Sequence, residues 1–172
     1  MMIEALANRW AIRLKNAVPD HPASVAVLRF ALQLFIETVL TLIVAILISL
    51  LTGRTLETLL VLIAFGILRA VSGGFHFKTP LPCILSTSIG ANLVAFADFN
   101  QTAVLAMTGT SLLLAAVFAP SKIENQTRIP KKYYPALKVI SIAIIAVNFL
   151  VQSSILAATF LIQSLTLIRK RR

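Results

Sequence analysis

Apolar runs separated by short polar breaks dominate the chain. Leu34–Thr52, Leu56–Val71, Leu81–Ala97 and Thr102–Ala119 each have the length of one membrane crossing, and Ala136–Ile168 runs for 33 residues. A helix crosses the ~30 Å hydrocarbon core with about 20 residues. A 33-residue helix would be about 50 Å long, too long for one crossing and right for two short ones. The polar cluster Gln152-Ser153-Ser154 is the natural turn between them. The pattern therefore predicts an all-α, polytopic membrane protein with six transmembrane helices. Ahead of them, Ile3, Leu6, Ala7, Trp10, Leu14 and Val18 recur at helical spacing, with Arg9 and Arg13 off the stripe. This predicts an N-terminal amphipathic helix lying in the interface with Trp10 at headgroup level. A soluble helix packed on the rest is the other reading. Val18-Pro19-Asp20-His21-Pro22 ends it.

Composition agrees. Hydrophobic residues make up 58% of the 172 and charged residues 13%, and the mean hydropathy is +0.90. Soluble domains are nearer half apolar and about a quarter charged. The net charge of +10 would suit a nucleic-acid binder, but not with this apolarity. Nucleic acid is therefore excluded as a partner, and so is disorder. The first 18 residues lack the compact apolar core and cleavage site of a signal peptide. The whole chain, 1–172, reads as a single membrane domain: a cytoplasmic or interfacial N-terminal region over 1–33, a bundle over 34–168 and a basic tail over 169–172. No internal repeat is visible, which speaks against an inverted-repeat transporter.

Charge also gives an orientation. With six spans, one side collects fifteen of the sixteen Lys and Arg residues and the other has Arg54 alone. The positive-inside rule then puts both termini and the connection between spans two and three in the cytoplasm of a bacterial plasma membrane. The basic clusters serve as topology signals and contacts for anionic lipids, or dock an acidic partner.

The chemistry is concentrated in that second connection, Arg69-Ala-Val-Ser-Gly73-Gly74-Phe-His76-Phe-Lys78-Thr-Pro-Leu-Pro-Cys83. It holds the one cysteine and one of two histidines. Pro80 and Pro82 suit a first helical turn, and Thr79 is a plausible N-cap. Cys83 would then sit at a helix N-terminus near Lys78 and Arg69, features that favour a thiolate. A lone membrane cysteine is otherwise a small packing residue. His76 reads as a general base toward Cys83 and then a general acid toward a leaving amine, or as a bridging interfacial side chain. Gly73 and Gly74 allow positive φ, and their N–H groups could face an oxyanion; a plain tight turn is the alternative. Glu37 and Arg69, each near the cytoplasmic end of its span, suggest an ion pair clamping spans one and two, with separate snorkelling as the alternative. One cysteine and two histidines leave little for a metal, and no cofactor is implied. Zincin and nucleophile-elbow motifs are missing.

The Arg-x-x-x-Gly-Gly-x-His pattern, with a cysteine seven residues on, resembles the accessory gene regulator protein B family. Its members are bacterial membrane endopeptidases that mature quorum-sensing peptides. Glu37 and the basic stretch from Ala119-Pro120 to Lys132 also fit it. The resemblance implies Cys83 as nucleophile, His76 as its partner, and Arg69 and Gly74 as supporting residues. It implies a short propeptide substrate with an amphipathic leader, an internal cysteine and an acidic C-terminal tail, for which Lys131 and Lys132 are docking candidates. The tail is removed and the peptide's cysteine closes a thiolactone. The resemblance leaves room for a homodimer. A peptide permease without covalent chemistry is the competing function, and a lipid-binding scaffold a third.

The charge asymmetry makes a direct prediction. Reporter fusions at both termini and within 75–79 should report the cytoplasm, and a fusion at Arg54 the outside. An external tail would overturn the six-span order.

Overall fold

The structure is a computed structural model that describes residues 2–20, 22–75, 77, 79–121 and 129–168. Its elements are helices: α1 (Met2–Ala17), α2 (Val25–Thr52), α3 (Thr55–Ser72), α4 (Pro80–Val94), α5 (Gln101–Phe118), α6 (Tyr134–Ala146), α7 (Asn148–Val151) and α8 (Ser154–Leu165). Among the described residues β structure is limited to one isolated bridge, Gly73 with Ser121. The all-α expectation is met.

Local chemistry sets the boundaries. The Ser24 side chain accepts from Val27 N at the start of α2, and Gly53 ends that helix in the left-handed region at φ 70°. Asn100 Oδ1 accepts from Ala103 N at 2.9 Å to open α5. The expected Gln152 turn is present: Gln152 adopts φ 52°, and Ser153 caps α8 through Leu156 N. Asn148 closes the turn, its Oδ1 accepting from Ser153 N and its Nδ2 donating to the Ser153 carbonyl.

Four segments are long and apolar enough to cross a membrane: Val25–Thr52, Thr55–Ser72, Gln101–Phe118 and Lys131–Val151. The chain is a membrane protein, and four of the six expected crossings have the length for one among the described residues. The apolar helices α4 and α8 have 15 and 12 residues. At 1.5 Å per residue they are about 22 Å and about 18 Å long, short of a ~30 Å core.

Helix α3 is the hub, packed against α2, α4, α6 and α8. One core joins Ala64 and Leu68 of α3 to Ala115, Ile145 and Phe160. A second joins Val61 to Ala91, Val94 and Ala158. Helix α1 packs on α2, with Ala7 and Ala11 fully buried and Leu6, Trp10 and Leu14 exposed. Of the expected apolar stripe Ala7 packs inward, while Leu6, Trp10, Leu14 and Val18 stay exposed.

The helices meet through small polar residues. Ser49, Thr58, Ser88, Thr108, Ser111 and Ser141 are fully buried. Most return their hydroxyl to a carbonyl of their own helix, as Thr108 does to Val104 at 2.8 Å. This is how membrane helices approach closely without leaving a donor unpaired. Asn92 crosses between helices. Its amide donates to the Ala45 carbonyl at 3.1 Å and the Ser88 carbonyl at 2.9 Å, and its Oδ1 accepts from Thr58 Oγ1 at 3.4 Å. Asn92→Ala, which removes these bonds without overfilling the buried site, should destabilise the detergent-solubilised protein by about 1–2 kcal/mol. Thermal unfolding checks this; an unchanged midpoint would show that the Asn92 bonds contribute nothing net.

Candidate active site

The segment between α3 and α4 is built by its two glycines. Gly73 caps α3, its N–H donating to the Arg69 carbonyl at 2.9 Å, at φ 71°. Gly74 follows at φ 128°, a region open essentially to glycine alone. Its N–H donates to the Ser121 carbonyl at 2.8 Å, and Ser121 N–H donates back to the Ser72 carbonyl at 2.9 Å. The end of α3 and the residues just past α5 are thereby joined. Both glycine N–H groups are committed to these carbonyls, so the oxyanion role expected of Gly73 and Gly74 does not match the geometry. The pair makes a turn.

That turn rests on α8. Gln163 is fully buried, and its Nε2 donates to the Gly73 carbonyl at 2.7 Å and to Ser72 Oγ at 3.1 Å. The Phe75 N–H donates to the Thr166 carbonyl at 3.1 Å. A Cβ on Gly74 would lie 2.6 Å from Thr166 Oγ1. The strap is clamped from below by one glutamine and closed to any side chain at Gly74.

Arg69 turns to the same strap. Its Nη2 donates to the Phe75 carbonyl at 2.6 Å, and its guanidinium lies 5.4 Å from the Phe65 ring centre. The Glu37 carboxylate accepts from Gln33 Nε2 at 3.0 Å. The expected Glu37–Arg69 ion pair is not formed, because each group has been taken by a nearer partner. Both lie within electrostatic reach of Cys83.

Cys83 lies in the first turn of α4. Thr79 is the N-cap as expected, though its side chain makes no capping bond. Pro80 and Pro82 remove two of the N–H groups that such a turn would otherwise present. The half-buried thiol faces a cavity of about 180 Å³ between α3, α4 and α8, lined also by Arg69, Phe75, Phe77, Thr87 and Thr166. Phe75 and Phe77 meet edge to face with ring centres 5.1 Å apart. His76 and Lys78 lie outside the described residues. Lys131 and Lys132 are exposed in a short 3₁₀ turn before α6. Among the described residues no group of His, Cys, Asp and Glu could hold a metal.

Sequence inspection missed Gln163, Thr166 and Ser121. Gln163 left a signal, since an amide deep in an apolar run is costly there and usually has a partner. Ser121 left none.

A membrane helix bundle with a cysteine facing an interhelical cavity, beneath a glycine strap, defines the class. The chain belongs to the AgrB family: the family's sequence profile, Accessory gene regulator B, matches residues 7–168. It is similar to a curated AgrB-like protein of Clostridium acetobutylicum, with 27% identity over 141 residues covering 80% of this chain and 68% of the other. No solved structure gives a significant match. Membership assigns the chain to the accessory gene regulator system of bacterial quorum sensing.

Gly74→Ala should destabilise the protein by about 2–4 kcal/mol, from positive φ together with the Thr166 clash. Thr166→Ala should recover part of this by removing Oγ1, leaving the φ strain. Thermal unfolding of the single and double variants checks both; an undisturbed Gly74→Ala protein would refute the clamped strap.

Proposed function

We propose that this protein is a membrane cysteine endopeptidase that removes the C-terminal tail of a quorum-sensing propeptide and closes the remainder into a thiolactone. The observation that carries the reading is the position of Cys83: on a cavity wall with Arg69 and the strap, in a chain of the AgrB family. Phe75 and Phe77 line the same cavity, and they flank His76 in the sequence. His76 takes the thiol proton as Cys83 Sγ attacks the scissile carbonyl, then gives it to the departing amine as the C–N bond breaks. Arg69 acts as a positioning residue, through the Phe75 carbonyl, for the strap that bears His76.

The acyl-enzyme thioester is then attacked by the substrate's own cysteine, which frees Cys83. One thioester replaces another at nearly equal energy, whereas water would discharge the acyl group irreversibly. A half-buried thiol on an apolar cavity suits that requirement. The first step is uphill, since an amide is more stable than a thioester, so removal of a product must draw the reaction forward. The basic face, including Lys131 and Lys132, holds the acidic tail by charge.

We read α4 and α8 as short crossings that complete six spans, with the site on the cytoplasmic side. Two contacts support this by tying their far ends to the end of the bundle opposite the strap. Arg54, ahead of α3, lies 5.4 Å from the Phe96 ring just past α4. Phe99 N–H donates to Ser154 Oγ at the start of α8 at 3.0 Å.

Mass spectrometry of cells co-expressing the protein with its propeptide provides the test. Cys83→Ala and His76→Ala should each abolish both the released tail and the cyclised product. Cleavage that survives in Cys83→Ala would overturn the covalent mechanism and favour the permease.

A further inference from the structure

The cavity beside Cys83 is a slot with a polar end and an apolar end. On α3 it is lined by Val61, Phe65 and Arg69, and on α4 by Cys83, Thr87, Gly90 and Val94. Both sets follow helical spacing along one face. Each wall therefore runs from the charged or nucleophilic residue at the strap end, Arg69 or Cys83, to a valine about 12–17 Å deeper. Thr159, Ile162 and Thr166 of α8 form the third wall, with the Thr159 hydroxyl turned to the Ile155 carbonyl at 2.7 Å. No ionisable side chain lines the deep end.

The opening in the middle comes from Gly90. It lies seven residues after Cys83 on the same face of α4, and a Cβ built there meets nothing within 4 Å. A hollow of about 180 Å³ exceeds the ~150 Å³ apolar cavity that accepts benzene. It has room for one phenyl or branched alkyl group, and a charged side chain there would go unpaired.

Resting on the reading of Cys83 as nucleophile, we infer that this slot receives a large apolar side chain of the substrate residue whose carbonyl Cys83 attacks. The polar end meets the peptide backbone, where Arg69, Thr87 and Thr166 offer polar groups, and the deep end meets the side chain. A lipid would place its acyl chain at the apolar end and its headgroup at Arg69, and labelling in membranes against detergent separates that occupant from a peptide. The slot therefore selects a bulky apolar residue on the acyl side of the cut, and Gly90 sets how large it is.

Cys83 labelling reads the slot without catalysis. The full-length protein is reacted with N-benzylmaleimide and N-methylmaleimide, in membranes and in detergent. Leu113→Cys in a Cys83→Ser chain, an exposed α5 position, corrects for partitioning of the reagents. At Cys83 the benzyl reagent should be favoured about tenfold over its ratio at the control, because its ring is buried in the slot. Gly90→Leu, or Val61→Phe from the facing wall if the first variant folds poorly, should abolish that preference. Gly109→Leu, also in open space and away from the cavity, should keep it. An equal ratio at Cys83 and the control overturns the inference, as does a preference that survives both filling variants. A preference that appears only after delipidation marks a lipid-filled slot and overturns it too. If the slot selects benzyl while Cys83→Ala still cleaves propeptide, the catalytic reading fails and the slot remains a binding site for something else.

Discussion

The backbone exchange between Ser72, Gly74 and Ser121 governs this end of the molecule. Two N–H···O bonds of 2.8 and 2.9 Å join the exits of α3 and α5, where neither helix can satisfy those groups itself. Gln163 supplies the third contact from α8. Once these are made, the strap has one path, Arg69 can reach the Phe75 carbonyl, and α4 begins where Cys83 faces the cavity. A side chain at Gly74 would break the arrangement at its tightest point, which is why a nominally flexible residue is here the least replaceable.

The bundle holds together by the same economy. With lipid outside, burial of apolar surface between helices contributes little, and close approach with satisfied polar groups contributes more. The interior accordingly carries Ser, Thr, Asn and Gln, while Leu50, Leu51, Leu56 and Leu150 are largely exposed. Asn92 and Asn148 stand out because their amides also bond across to another element, Asn92 to the Ala45 carbonyl and Asn148 to Thr108.

Much of this was legible in the sequence. The apolar runs located α3 and α5 to within a residue or so, because a membrane-facing helix must be apolar throughout its length. The Gln152 turn showed as a polar cluster in a run too long for one crossing. Cys83 and Thr79 were placed correctly because proline chemistry at a helix start is local. What failed was non-local. The Glu37–Arg69 pair was argued from similar depth, but depth says nothing about which faces meet, and Gln33 and the Phe75 carbonyl were nearer. The Gly74 N–H was assigned to an oxyanion because its bond partner, Ser121, lies 47 residues away in an unremarkable stretch. Helix ends were misjudged where apolar residues continue past the last turn, as in Ala95–Ala97 after α4.

The glutamine clamp has a consequence for the order of events during synthesis. The chain leaves the ribosome N-terminus first, so the cysteine and the strap are made well before Gln163 and Thr166. A nascent chain that has made α3 and α4 has the Cys83 thiol, but not the groups that seat the strap or the third wall of the cavity. The thiol is born before the pocket that would direct it. Assembly of the pocket is thus the last step of insertion, and an incompletely made protein carries no finished site into the membrane.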